Sequence, residues 1–153
     1  MPEYRIIEDD LTGAEVVALL ELHLEDMNRL SGCKCHALTV ERLRDPDVTF
    51  YSAWDGGRLA SVGALRELAP RRAEIKSMRA APAYRGKGAG EAILLHLIAE
   101  ARRRGYDWLG LETGRYDAWG AARNLYRKHG FEECDDFGDY TGDDFSMCMS
   151  RSL

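Results

Sequence analysis

The run Arg85-Gly86-Lys87-Gly88-Ala89-Gly90 places three glycines and two cations where an apolar strand pattern gives way to a helical one. Glycine strips side chains from a turn, so backbone N–H groups can approach a ligand closely. A helix that starts there aims its positive dipole end and its unpaired amides at the same spot. This chemistry suits the grip of a phosphate or pyrophosphate. The spacing is not Gly-x-x-x-x-Gly-Lys-Ser/Thr, and no βαβ unit opens the chain as a dinucleotide fingerprint requires. A strand–helix turn with no ligand would use the same glycines, so the surrounding residues must decide.

Sulfur and imidazole offer a second chemistry. The chain has four cysteines, Cys33, Cys35, Cys134 and Cys148. Cys33-Lys34-Cys35-His36 has zinc-ligand types, but no second Cys-x-x-Cys or His pair completes four ligands at structural spacing, so no metal is expected. The 153 residues, 45% hydrophobic, fit one domain over 1–153 with one sizeable core. A net charge of −5 argues against a nucleic-acid partner. The opening MPEYRIIEDD has no signal pattern and no apolar run reaches membrane-spanning length, which predicts a cytoplasmic chain without a membrane partner. Free thiols follow from that setting.

The elements that must position these groups are readable from periodicity. Tyr4–Ile7 reads as a strand, and Thr12 with Glu15 forms a capping-box pattern. Val16, Leu20, Leu24 and Met27 recur at helical spacing until Ser31-Gly32. A loop with a short helix near Val40–Arg44 follows. Val48–Trp54, Arg58–Leu68 and Ala73–Ala81 form a meander, joined at Asp55-Gly56-Gly57 and Pro70-Arg71-Arg72 and ended by Pro82. A helix from Gly88 to Arg104 carries Gly90, Ile93, Leu94, Leu97, Ile98 and Ala101 in one sector and stops at Gly105. Gly90 at the centre of that sector predicts close packing on the sheet. Asp107–Thr113 is a strand, Asp117 caps a helix through His129, and Phe131–Cys134 with Phe145–Met149 makes a final strand pair. The order β-α-(α)-β-β-β-α-β-α-β-β predicts an α/β (α+β) fold with a mixed, largely antiparallel central sheet and helices on both faces.

Two segments in register give the glycine run an owner. Ala80-Ala81-Pro82-Ala83-Tyr84-Arg85-Gly86-Lys87-Gly88-Ala89-Gly90 resembles the acetyl-CoA motif Arg/Gln-x-x-Gly-x-Gly/Ala of the GNAT superfamily of N-acetyltransferases. Ala122-Arg123-Asn124-Leu125-Tyr126-Arg127-Lys128-His129-Gly130-Phe131 resembles the family's Ala-x-x-Leu-Tyr-x-x-x-Gly-Phe segment. The likeness covers essentially the whole chain, and Glu74–Arg79, Leu111–Gly114 and Phe137–Tyr140 resemble a branch of small bacterial stand-alone members. It implies acetyl-CoA as cosubstrate. Met78, Arg79 and Ala80 would pair by backbone with the pantetheine arm, where an N–H polarises the thioester carbonyl. Arg85, Gly86, Lys87, Gly88, Ala89, Gly90 and Glu91 would wrap the pyrophosphate. Tyr126 would protonate the leaving thiolate. Read without the motif, Tyr126 shares a helix face with Ala118, Ala122, Leu125 and His129 and is a core aromatic. The chain departs from the family at Trp119, where an Asn often contacts the cofactor arm.

Acetyl transfer to an amine also needs a base, because an amine of pKa ~10.4 is neutral only about one part in a thousand near pH 7. Glu112, at a strand's C-terminal end, and Glu74, on the cofactor strand, are the candidates, each with a solvated salt bridge as its plain alternative. His36 and His23 are alternative bases, though His23 flanks the apolar stripe of the first helix, where a packed, hydrogen-bonded ring is expected. His36 lies in the loop expected over the acceptor and is the substrate-contact candidate. A nucleophilic Cys33 or Cys35 lacks a defined partner, and direct transfer needs none. The acidic stretch Glu132–Asp144 would attract a cationic acceptor or would simply be a solvated turn. The expected activity is N-acetyl transfer to a small-molecule amine. A non-catalytic CoA-binding module, an acetyltransferase of protein or peptide amines, and a phosphate-binding domain unrelated to CoA are the alternatives. The fold type is compatible with a homodimer, though no stripe marks an interface.

Overall fold

The computed structural model describes residues 3–31, 39–137 and 146–153. Cys33, Cys35, His36 and the acidic Asp139, Asp143 and Asp144 lie outside the described residues.

Seven strands form one sheet: β1 (Arg5–Glu8), β2 (Val48–Asp55), β3 (Arg58–Ala69), β4 (Arg72–Ala80), β5 (Trp108–Gly114), β6 (Glu132–Cys134) and β7 (Ser146–Ser152). Their spatial order is β1-β2-β3-β4-β5-β7-β6, antiparallel except for the β4–β5 pair. The helices are α1 (Ala14–Ser31), α2 (Ala89–Arg103) and α3 (Gly120–Lys128). On one face, Val16, Leu19 and Leu20 of α1 pack with Leu43, Phe50, Val62 and Ala64. On the other, Ile93, Leu94, Leu97 and Ile98 of α2 meet Leu65, Ile75, Leu109, Leu111 and Phe131. The mixed sheet with helices on both faces is therefore as the periodicity predicts.

Three local expectations are corrected. Thr12 does not build a capping box: its hydroxyl donates to Asp10 Oδ1 at 2.6 Å, and the first helical carbonyl is that of Gly13, which accepts from Val17 N–H at 3.1 Å. Beside it Leu11 adopts φ +65°, with its N–H donating to Asp9 Oδ1 at 2.8 Å. Asp117 heads a 3-10 turn over Asp117–Trp119 rather than an α-helix, and no side chain caps α3. Gly90 is not packed on the sheet, since a Cβ there would meet nothing within 4 Å. The close approach is made by Gly63 of β3, where a Cβ would lie 3.2 Å from both Ile93 and Leu97.

One irregularity interrupts the pairing of β3 with β4. Val62 pairs with Arg79 while Ala64 pairs with Lys76, so two residues of β4 oppose Gly63 alone. This is a β-bulge, and Ser77 sits in it at φ +54°. The parallel β4–β5 ladder runs only from Arg72↔Trp108 to Ile75↔Leu111. Beyond those pairs β4 stays with β3 and β5 stays with β7, so the two central strands part. A bulge bends its strand and adds twist, which accounts for the split opening at this point.

Candidate active site

The split widens into a cleft of about 790 Å³ lined by α1, β4, the turn before α2, β5 and α3. Past Ile75 the β4 edge that faces β5 has no strand neighbour, so its backbone groups border the cleft from Lys76 to Ala80. Met78, Arg79 and Ala80 all line it.

At the cleft's mouth the chain turns from β4 into α2 through a 3-10 turn, Pro82–Tyr84. Gly86 and Gly88 then adopt φ of +73° and +80°, a left-handed backbone that costs an L side chain roughly 1–2 kcal/mol. Gly88 is the N-cap of α2 and carries no capping side chain. The free amides of the first turn are therefore left for a ligand. Gly86, Gly88, Ala89, Gly90 and Glu91 line the cleft, whereas Arg85 lines it from an exposed position and Lys87 does not reach it. The open space at Gly90 gives an incoming group room against the helix.

This turn is braced from two sides. Tyr4 Oη donates to the Lys87 carbonyl at 2.7 Å, and Tyr84 Oη donates to Asp55 Oδ2 at 2.7 Å. The two rings meet edge to face at 6.2 Å, and Ser61 Oγ donates to the Ala89 carbonyl at 2.8 Å. The Glu91 carboxylate is engaged elsewhere. Its Oε2 accepts from Lys128 Nζ at 2.7 Å and lies 2.8 Å from His129 Nε2, tying the start of α2 to the end of α3. A carboxylate would repel a pyrophosphate, so only the Glu91 backbone suits that ligand.

Tyr126 of α3 lines the cleft and is also part of the core, with its ring 6.0 Å from that of Phe131. Tyr126 thus holds the place of a core aromatic while it borders the cleft. Burial, and then the negative charge of Glu112, push its hydroxyl far above the usual phenol range, so it stays protonated. Glu112 lines the cleft from β5. Glu74 does not line it: 2% exposed, it lies 3.3 Å from Arg66 Nη1 and 3.9 Å from Lys76 Nζ. The two carboxylates named as bases are not equivalent, and the structure brings only Glu112 to the cleft beside Tyr126.

Other cleft residues escaped the sequence reading. Lys76, 7% exposed, lines the cleft, and burial lowers its pKa against the opposing pull of Glu74 and Glu112. Asp26 of α1 holds Arg79 Nη2 at 2.6 Å and Arg29 Nη2 at 3.2 Å. His23 is buried as expected, but its Nδ1 has no hydrogen-bond partner among the described residues. Desolvation, with Arg79 nearby, lowers its pKa to about 4. Strand alternation in Glu74-Ile75-Lys76 was the available signal, since it puts charged side chains on an inward face. Trp119, in place of the family's usual Asn, lies against Gly114, where a Cβ would come within 2.4 Å of the indole. Of the acidic stretch, Glu133 pairs with Arg115 at 3.0 Å, and none of its described members lines the cleft.

Among the described residues no helix is long and apolar enough to cross a membrane. The model of the acetyltransferase (GNAT) family matches residues 16–131. A Bacillus subtilis relative named as an uncharacterized N-acetyltransferase, YsnE, is 47% identical over 146 residues, covering 95% of this chain and 97% of its own. A solved structure from Klebsiella pneumoniae, assigned as an acyl-CoA N-acyltransferase, superposes with a TM-score of 0.81 at 27% identity over 100% of this chain and 99% of its own. A Bacillus subtilis acetyltransferase solved in complex with CoA shares the fold, with a TM-score of 0.75 at 23% identity over 99% of each chain. Family match, relatives and fold agree: the chain belongs to the acetyltransferase (GNAT) family, acyltransferases whose cosubstrate is acetyl-CoA.

Proposed function

We propose that the protein moves an acetyl group from acetyl-CoA directly to the amine of a small molecule. The observation that carries this reading is the parting of β4 from β5, which brings the left-handed glycine turn, an unpaired strand edge and Tyr126 to one cleft. The amides of Gly86 to Glu91 hold the pyrophosphate, aided by the α2 dipole. The free edge of β4 at Met78–Ala80 pairs with the pantetheine arm, and one of its N–H groups polarises the thioester carbonyl.

The acceptor arrives as an ammonium and must lose a proton before it attacks. Glu112 takes that proton, directly or through water, because it is the candidate carboxylate that borders the cleft. The C–N bond forms as the C–S bond breaks, Tyr126 gives its proton to the departing thiolate, and the second proton that the nitrogen sheds to become an amide restores the Tyr126 phenol. The Tyr126 phenol remains protonated at neutral pH, as an acid in waiting must.

A free-thiol assay with acetyl-CoA across a panel of amines, beside calorimetric titration of acetyl-CoA, tests the reading. Amine-dependent thiol release is expected. Tight acetyl-CoA binding without thiol release from any amine would overturn it in favour of a non-catalytic CoA-binding module.

A further inference from the structure

The glycine turn before α2 is held from outside the cleft. Tyr4 Oη donates to the Lys87 carbonyl at 2.7 Å, although 83 residues separate the two in the chain. Ser61 Oγ of β3, fully buried, donates to the Ala89 carbonyl at 2.8 Å. Tyr4, Ser61 and Lys87 do not line the cleft, whereas Gly88 and Gly90 do. The two hydroxyls therefore reach the turn from beyond the space a cofactor would fill.

Each of these bonds fixes a whole peptide plane. No peptide bond among the described residues is cis, and in a trans peptide the C=O and the following N–H point in opposite directions. A Lys87 carbonyl turned to Tyr4 thus turns the Gly88 N–H away from Tyr4. An Ala89 carbonyl turned to Ser61 does the same for the Gly90 N–H. The Lys87 carbonyl also stands four residues before Glu91, where one more helical turn would give it the Glu91 N–H. Tyr4 occupies it instead, and the N–H groups of Gly88, Ala89, Gly90 and Glu91 have no acceptor among the described residues. Glycine by itself would leave this turn loose: at Gly86 and Gly88, with φ +73° and +80°, no Cβ resists rotation of the flanking planes. Anchors from outside supply the restraint that the missing side chains cannot.

Resting on the reading of this turn as the grip on pyrophosphate, the geometry points to Tyr4 and Ser61 as positioning residues for the cosubstrate. They aim the Gly88 and Gly90 N–H groups into the cleft before acetyl-CoA arrives. A grip set in advance loses less conformational freedom on binding, so the two hydroxyls act on affinity for the diphosphate half of the molecule. The pantetheine arm's pairing with the β4 edge and the proton transfers at Glu112 and Tyr126 lie outside their reach.

S-acetylpantetheine separates the two halves, because it keeps the thioester and the arm and lacks the pyrophosphate. Calorimetric titration gives the acetyl-CoA dissociation constant, and competition against acetyl-CoA gives that of S-acetylpantetheine, for the parent, Tyr4→Phe and Ser61→Ala. Each variant is expected to weaken acetyl-CoA about fivefold, the scale of one hydrogen bond, and to leave S-acetylpantetheine within about twofold. Tyr4→Phe keeps the ring and its edge contact with Tyr84 at 6.2 Å, so it reports on the hydroxyl alone and decides the matter should the buried Ser61→Ala fail to fold. Acetyl-CoA affinity within about twofold of the parent in Tyr4→Phe, or an equal weakening of both ligands, overturns the inference and leaves the pyrophosphate grip standing. A parent that binds acetyl-CoA no more tightly than S-acetylpantetheine overturns the grip as well.

Discussion

Replacing Tyr126 with Phe removes one oxygen atom and little else. The ring keeps its place in the core and its edge contact with Phe131 at 6.0 Å. No described residue accepts a hydrogen bond from the hydroxyl, so folding should lose less than about 0.5 kcal/mol, a Tm change of at most about 2 °C for a chain of this size. The glycine turn and the β4 edge are untouched, so acetyl-CoA affinity should stay within about twofold. Turnover should behave differently. A positioned general acid contributes roughly 10²–10⁴-fold, or about 3–5 kcal/mol of barrier. The assay is thiol release at saturating acetyl-CoA and acceptor, with calorimetry for affinity and thermal unfolding for stability. The pH profile adds a second check. Burial and Glu112 hold the Tyr126 hydroxyl protonated well beyond the ordinary phenol range, so the parent enzyme should show no alkaline loss of kcat from this group below about pH 10. A kcat within threefold of the parent would remove Tyr126 from proton transfer. A drop matched by an equal loss of acetyl-CoA affinity would make its role structural.

Three further outcomes follow from the cleft and its walls. Gly90→Leu should raise the acetyl-CoA KM by tenfold or more, because the side chain enters open space in the cleft, yet stabilise the fold by about 0.5–1 kcal/mol through helix propensity; an unchanged KM would place the cofactor elsewhere. Ser77→Gly should stabilise by about 1 kcal/mol by relieving φ +54°, and Ser77→Val should destabilise by a similar amount and weaken acetyl-CoA binding as the bulge shifts; equal melting temperatures would show that the bulge stores no strain. The His23 pKa of about 4 lies below the ordinary 6.5, so its stabilising contribution is complete above pH 6.5 and is lost as pH falls toward 4. Denaturant titrations of the parent and His23→Gln should therefore diverge by about 2 kcal/mol between pH 7 and 4.5, the parent losing more, and parallel curves would contradict the burial of an uncharged ring.

Much of the site was legible because its parts are local. The glycine turn, its helix and the Ala122–Phe131 segment each depend on neighbours within a few residues, and the structure places Gly86, Gly88 and Tyr126 around one cleft. Boundaries that rest on a single turn were less legible. Thr12 had the composition of a cap, but Asp10 competed for its hydroxyl. Helical periodicity puts Gly90 on the apolar face of its helix without saying what stands opposite. What stands opposite is the gap between β4 and β5, and Gly63, two strands away in sequence from that helix, makes the close contact instead.

By itself, the sequence determined the order of elements, the family and the glycine turn, since these follow from short-range periodicity and contiguous motifs. Only the tertiary structure separated Glu112 from Glu74 and set Arg79 against Asp26 of α1. It also spent the Glu91 side chain on α3. Those outcomes depend on strand register and on a bulge opposite Gly63, where two residues of β4 face one of β3. Register is a long-range property: shifting a strand by one residue exchanges its faces, and no local pattern in the chain specifies where that shift occurs.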